Sequence, residues 1–297
     1  MSNNQNSFEQ GWELIHKNIP TPLVSLGEMF GNEIYLKLDY LTHPLISGNK
    51  WRKLKHNLLW AHQNKIKSLI TFGGAFSNHL IATAAAGNEF GFETIGLVRG
   101  EELNPSSNLT LKTCHDLGMK LKFVSREEYK KKNDLNYQDF LHSQYANAFI
   151  IPEGGTNEFA LEGVKELMSE IDFMPDYVCC SVGTGGTLLG LCKAFPKAKV
   201  LGFLALKAEN FENEIEKLAN YTKTSLPLNF KLTCEYHFGG YGKFNEEILS
   251  FIRGFMYPLD KVYTAKLLLG VMNELKKGTF HKGNKIVVYH SGGLQGN

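Results

Sequence analysis

The chain has 297 residues, 43% of them apolar and 21% charged, with a formal charge of +2. That length suffices for one large domain or two medium ones, and near-neutral charge gives no general attraction to nucleic acid or a membrane surface. Residues Met1 to Gln10 are polar and lack the apolar core of a signal peptide, and no apolar run nears the ~20 residues of a membrane span.

Five cysteines without C-x-x-C spacing imply reduced thiols, and ten scattered histidines give no metal-ligand pattern. A cytoplasmic protein without a catalytic metal is expected.

In chain order, Thr21-Pro22-Leu23-Val24 reads as an extended segment. A hairpin-like turn at Gly31-Asn32 leads to a strand over Ile34 to Leu38. The stretch Ser47-Gly48-Asn49-Lys50-Trp51-Arg52-Lys53-Leu54 places three cations where a loop becomes a helix. Apolar residues then recur at helical spacing (Trp51, Leu54, Leu58, Ala61), so Lys50 falls in the first turn, where the helix dipole disfavours a cation. A lysine so placed is expected to have a depressed pKa, and a neutral amine is what Schiff-base chemistry needs. A solvated lysine on an exposed turn is the plainer alternative.

From there strands and helices alternate. Strands are expected at Ser68 to Phe72, Glu93 to Val98, Lys120 to Val124, Ala148 to Ile151, Tyr177 to Ser181, Val200 to Leu206, Phe230 to Tyr236 and Lys285 to Tyr289. Helices are expected through Ala82 to Ala86, after Asn104-Pro105-Ser106-Ser107, over Ala160 to Ile171, up to about Ala194, over Phe211 to Tyr221 and through Leu267 to Leu275. Ser125 to Asn147 is polar, with no strong apolar period except near Phe140. Such βαβ repetition means an α/β protein with mostly parallel sheets buried on both faces, and ligands collect at the carboxyl ends of such strands. The polar passage before Ala148 and the loop before Ser47 are the expected crossings between two lobes.

Glycine pairs stand at four strand ends. The best phosphate cradle is Ser181-Val182-Gly183-Thr184-Gly185-Gly186-Thr187, which offers consecutive N–H groups and two threonine hydroxyls. It is neither a Walker loop nor a dinucleotide fingerprint, because Leu188 stands where the last glycine would be. A monophosphate suits it, and a tight turn binding nothing is the alternative. After Gly73-Gly74 come Ser77, a natural N-cap, and then Asn78 and His79, which the first turn of a helix points toward the ligand crevice.

Taken together, the chain resembles the fold-type II (tryptophan-synthase-β-like) pyridoxal phosphate (PLP) enzymes, and within them the 1-aminocyclopropane-1-carboxylate deaminase/D-cysteine desulfhydrase branch. The matching segments are Thr21-Pro22-Leu23, Gly48-Asn49-Lys50 with Arg52-Lys53-Leu54, Gly73-Gly74-x-x-Ser77-Asn78-His79 and Pro152-Glu153-Gly154-Gly155. Gly183 to Thr187, Gly239-Gly240-Tyr241-Gly242, Tyr263-Thr264 and His290-Ser291-Gly292-Gly293 complete them in family order.

The resemblance implies two three-layer domains with open twisted parallel sheets. A larger PLP-binding one comprises residues 1–46 and 156–297, and a smaller one residues 47–155. It implies that Lys50 holds PLP covalently and later moves protons, that Asn78 bonds the ring hydroxyl, and that Gly183, Thr184, Gly185, Gly186 and Thr187 hold the phosphate with help from Lys53. Ser77 and His79 would face the substrate carboxylate, with a direct chemical role open to Ser77, and Tyr241 and Tyr263 would line the substrate side. Thr264, with Ser291 as second candidate, stands where the cyclopropane deaminases place a glutamate against the pyridine nitrogen. A neutral hydroxyl there favours β-elimination over ring opening.

Phe76, Leu80 and Ile81 replace polar residues common in the branch, implying a more apolar pocket. The implied reaction is conversion of a small amino acid with a β-leaving group, such as D-cysteine, to a 2-oxo acid and ammonia. Cyclopropane ring opening, a β-replacing synthase or racemase, and a non-catalytic PLP carrier are the alternatives. A homodimer without nucleic-acid or membrane partners is expected.

Overall fold

A computed structural model describes residues 2–294. Among the described residues, ten strands form two sheets. β1 (Leu23–Met29) and β2 (Asn32–Lys37) make the hairpin, and β7 (Tyr177–Val182), β8 (Lys199–Leu204), β9 (Phe230–Thr233) and β10 (Lys285–Tyr289) complete a six-stranded sheet of order β1-β2-β10-β7-β8-β9. All its neighbours run parallel except the β1–β2 pair. β3 (Ser68–Gly73), β4 (Glu93–Arg99), β5 (Lys120–Val124) and β6 (Ala148–Ile151) form a wholly parallel sheet of order β5-β4-β3-β6.

The helices are α1 (Ser2–His16), α2 (Asn49–Gln63), α3 (Asn78–Phe90), α4 (Leu109–Asp116), α5 (Arg126–Lys130), α6 (Leu135–Gln144), α7 (Glu158–Lys165), α8 (Gly186–Ala194), α9 (Phe211–Tyr221), α10 (Glu246–Gly254) and α11 (Thr264–Lys277). None is long and apolar enough to cross a membrane.

Each sheet is covered on both faces, as continuous apolar strands require. In β7, Val178, Cys180 and Val182 pack under α7, α8 and α9, while Tyr177 and Cys179 face the layer of α10 and α11. The cysteine pair is thus split across two cores, each member a small apolar side chain. In the smaller sheet Ile70 and Phe72 of β3 and Ile95 and Leu97 of β4 share one core with α5 and α6, and Leu69 faces α1, α2 and α3.

Three features depart from the sequence reading. The polar passage before Ala148 is not a crossing between sheets, because β6 pairs with β3 and the chain leaves the smaller sheet only afterwards. That passage instead folds into α5 and α6, capped by Ser125 and Asp134, and only Tyr129 and Leu141 of these helices are buried, so no apolar period marks them. α1 carried no expected element, yet Phe8 and Ile15 pack against Trp51 and Phe90 in the core of the smaller sheet.

α2 joins the two sheets. Gly163 of α7 lies so close that a Cβ there would come within 1.9 Å of the Arg52 carbonyl oxygen. Behind that contact is a buried ion cluster. Arg52 donates to both Asp39 carboxylate oxygens, at 3.0 and 2.9 Å, and also pairs with Glu170. Lys37 reaches Glu170 at 2.6 Å, and the Tyr289 and Thr21 hydroxyls each donate to Asp39 at 2.6 Å. Burial alone would raise the Asp39 carboxyl, but Arg52 and Lys37 outweigh it and hold it below the ordinary carboxylate range.

Candidate active site

The carboxyl ends of both sheets converge on one cavity of about 290 Å³. Its walls come from the start of α2 (Asn49, Lys50, Lys53), the turn after β3 (Gly74 to His79) and the loop after β7. Tyr241, Tyr263 and the Ser291-Gly292-Gly293 segment after β10 close it.

Gly48 sets the first of these. Its φ of +59° belongs to the left-handed region, and a Cβ there would stand 2.1 Å from the Ser291 carbonyl oxygen. Only glycine lets the chain pass so close. Asn49 then bonds back to that carbonyl through its backbone N–H and reaches the Thr187 hydroxyl through its side chain, each near 3 Å. Asn49 thereby ties the start of α2 to the start of α8, a link for which the sequence offered only its place beside Lys50.

The Lys50 amine has no hydrogen-bond or carboxylate partner among the described residues. Enclosure by protein lowers it from the ordinary 10.5 to about 8. Loss of solvation is the cause, rather than the helix dipole on which the sequence argument rested.

Lys53 is buried, and its amine donates to the Gly154 carbonyl at 3.0 Å and the Thr156 hydroxyl at 2.9 Å. Burial, and then the neighbouring Lys50, push it well below its ordinary value.

Ser77 caps α3 by accepting from the Leu80 N–H at 3.3 Å and also lines the cavity. Asn78 lines it with a side-chain amide that has no partner among the described residues. His79 is more constrained than the sequence suggested. The single Thr71 hydroxyl proton goes to the Ile151 carbonyl at 2.8 Å, so Thr71 accepts from His79 Nε2–H, also at 2.8 Å. That leaves His79 Nδ1 as a buried lone pair without a partner among the described residues. Burial, with Lys50 and Lys53 nearby, keeps the ring neutral, its pKa well below the ordinary 6.5. His79 lines the cavity, and in this tautomer its Nδ1 presents an acceptor rather than a donor.

Gly183, Thr184, Gly185 and Thr187 line the cavity, whereas Gly186 turns into α8 and abuts Thr156. The Tyr241 and Tyr263 rings meet edge to face at 6.0 Å. Burial, and then Tyr241, raise the Tyr263 hydroxyl well above its ordinary value, so it stays protonated.

Thr264 is not brought to the cavity. It is fully buried, and its hydroxyl donates to Asp260 at 2.6 Å. Ser291 does line the cavity, with its hydroxyl 3.4 Å from that of Ser181. Of the three apolar replacements, only Phe76 faces the cavity, 68% exposed, while Leu80 and Ile81 pack into the core with α4. Arg99, Glu153 and Leu206 also line it. Arg99 and Leu206 were not singled out as site residues by the sequence reading, although Arg99 follows the expected strand ending at Val98 and Leu206 ends the one that begins at Val200. Glu153 is engaged elsewhere, accepting from the Tyr129 hydroxyl at 2.7 Å with Lys132 at 3.5 Å.

The donor set suits PLP: a low-pKa amine for the aldehyde, a glycine loop and a second cation for the phosphate, and an unpartnered Asn78 amide.

Comparison with known proteins agrees. Residues 15–292 match the family described as pyridoxal-phosphate dependent enzyme. A protein of Pyrococcus furiosus, provisionally named 1-aminocyclopropane-1-carboxylate deaminase, is 30% identical over 96% of this chain and 91% of its own. A D-cysteine desulfhydrase of Yersinia enterocolitica is 28% identical over 92% of this chain and 91% of its own. The crystal structure of a homologue of 1-aminocyclopropane-1-carboxylate deaminase superposes with a TM-score of 0.78 at 26% identity, covering 97% of this chain and 95% of that one. Sequence, fold and donor set thus agree that the chain belongs to the PLP-dependent enzymes of the 1-aminocyclopropane-1-carboxylate deaminase/D-cysteine desulfhydrase family.

Proposed function

We propose that the protein eliminates the β-substituent of a small amino acid, D-cysteine being the test case, to give a 2-oxo acid and ammonia. The observation that carries this reading is the composition of the cavity: it is lined by a lysine at about 8 without a partner among the described residues and by the Ser291 hydroxyl, and Glu153, the one carboxylate lining it among those residues, is engaged by Tyr129 and Lys132. Lys50 would hold PLP, with the Gly183–Thr187 amides and Lys53 on the phosphate, Asn78 on the ring hydroxyl and Ser291 on the ring nitrogen. When bound, PLP supplies the electron sink for negative charge developing at the substrate α-carbon.

The protein's own part is to position groups and move protons. Lys50 Nζ, in its neutral form, accepts the α-proton. Ser77 offers a hydroxyl to the substrate carboxylate, and the protonated Tyr263 hydroxyl, with that of Tyr241, faces the leaving group. Two lobes, residues 1–46 with 156–297 and residues 47–155 but with α1 packed on the smaller one, and a homodimeric assembly belong to the same proposal on the strength of the family resemblance, and residence in the cytoplasm is proposed with them.

The names of the relatives favour a second reading, opening of aminocyclopropane carboxylate to 2-oxobutyrate. A panel of both cysteine enantiomers and aminocyclopropane carboxylate, followed for sulfide, ammonia and keto acid, separates the two. Equimolar sulfide and pyruvate from D-cysteine are expected. Faster release of 2-oxobutyrate from aminocyclopropane carboxylate would overturn elimination as the principal activity.

A further inference from the structure

Lys266 lies in the first turn of α11, three residues after Tyr263, and is 2% exposed. No carboxylate pairs with it among the described residues. Its amine instead donates to three backbone carbonyls: His237 at 2.8 Å, Gly240 at 2.9 Å and Ala205 at 3.4 Å. The placement is doubly unfavourable, since the cation is buried and sits at the positive end of a helix. Burial lowers the amine to about 8 against the opposing pull of Asp260. A methionine would fill that space at less cost, so the carbonyls it serves indicate what the lysine does.

Two of them belong to the loop that carries Tyr241. His237 and Gly240 carbonyls also accept the backbone bonds that close its successive turns, from Gly240 N–H and Lys243 N–H at 3.1 Å. The loop needs such an anchor. Phe238 sits at φ +50°, a conformation costly for a side-chain-bearing residue, and Gly239, Gly240 and Gly242 at +93°, +117° and +69° have little intrinsic preference for that shape. Tyr241 itself is 52% exposed and gains little hold from packing. The third carbonyl, of Ala205, precedes Leu206, which lines the cavity.

We propose that Lys266 is a positioning residue: its ammonium clasps the 237–243 loop and the end of β8 to the start of α11, and so holds Tyr241 against Tyr263 over the cavity. The consequence for turnover rests on the reading that both tyrosines face the substrate.

The test is Lys266→Met in the PLP-loaded enzyme, with Lys266→Gln, which keeps two N–H donors without the charge, as the second variant. Hydrogen exchange is followed along the chain, and KM and kcat are measured for D-cysteine. In the Met variant, amides of residues 237–243 are expected to exchange about tenfold faster, with the rest of the six-stranded sheet unchanged. KM is expected to rise about tenfold with a much smaller change in kcat, and the Gln variant to fall between. Loop exchange unchanged in both variants, or raised equally throughout the sheet, overturns the proposal. Faster loop exchange with unaltered KM upholds the clasp and instead overturns the placing of the tyrosines on the substrate side.

Discussion

One turn of α2 carries cations with opposite fates. Arg52 faces the seam between the sheets, where Asp39 and Glu170 pair with it and no water reaches it. Lys50 and Lys53, flanking it in sequence, face the cavity, where no carboxylate lies within salt-bridge distance among the described residues. The contrast separates two uses of a buried charge. At the seam the opposite charges answer one another, and Asp39 stays ionised. At the cavity the charge is left unanswered, so its desolvation appears as amines lowered to about 8 for Lys50 and well below the ordinary value for Lys53. An unpaired, partly neutral amine is poor for stability and good for reaction with an aldehyde.

Breaking the cavity side is expected to have the largest effect. Lys50→Ala should lower turnover by at least about 10³-fold, because it removes both the covalent anchor and the base. The protein should also lose the yellow colour that borohydride bleaches in the parent.

Breaking the seam comes next and should read as stability. Arg52→Met leaves Asp39 and Glu170 buried without their main partner and should cost about 3–5 kcal/mol in urea unfolding. Since the folded Asp39 carboxyl lies below its ordinary 3.8, its stabilising contribution in the parent is complete above that value. It is lost only as pH falls through the lower folded value.

The contrast is sharpened by pH. Below about 8 Lys50 is mostly protonated, so the rate of PLP capture by the apoprotein should rise about tenfold per pH unit up to that value and level off above it. A rise continuing toward 10.5 would place the amine in water rather than in the cavity.

The smallest change expected is Ser77→Ala. Loss of the cap on the Leu80 N–H should cost about 1 kcal/mol of stability. A fall in kcat well beyond what that destabilisation explains would give Ser77 a chemical role as well.

What was legible in the sequence lies within a turn or two of chain. Strand and helix alternation, the Ser77 cap, the glycine turn that opens α2 with Lys50 and the loop after β7 are all written in neighbouring residues, because backbone preference and capping act locally. α5 and α6 were not legible, because little of their surface is buried and a polar helix shows no apolar period, whereas α1 was missed although Phe8, Trp12 and Ile15 recur at helical spacing.

Hydroxyl direction was not legible either. Thr264 was the first candidate and Ser291 the second until the turn into α11 gave Thr264 to Asp260. The seam joins residues 13 and 118 positions apart, and Lys266 reaches carbonyls 26, 29 and 61 positions away. By itself the sequence determined which segments could make a parallel α/β protein with a lysine at a strand-end cleft. Only the packing of the two sheets decided which cations meet a carboxylate and which meet a cavity, since pairing and desolvation depend on distances in space that no local pattern encodes.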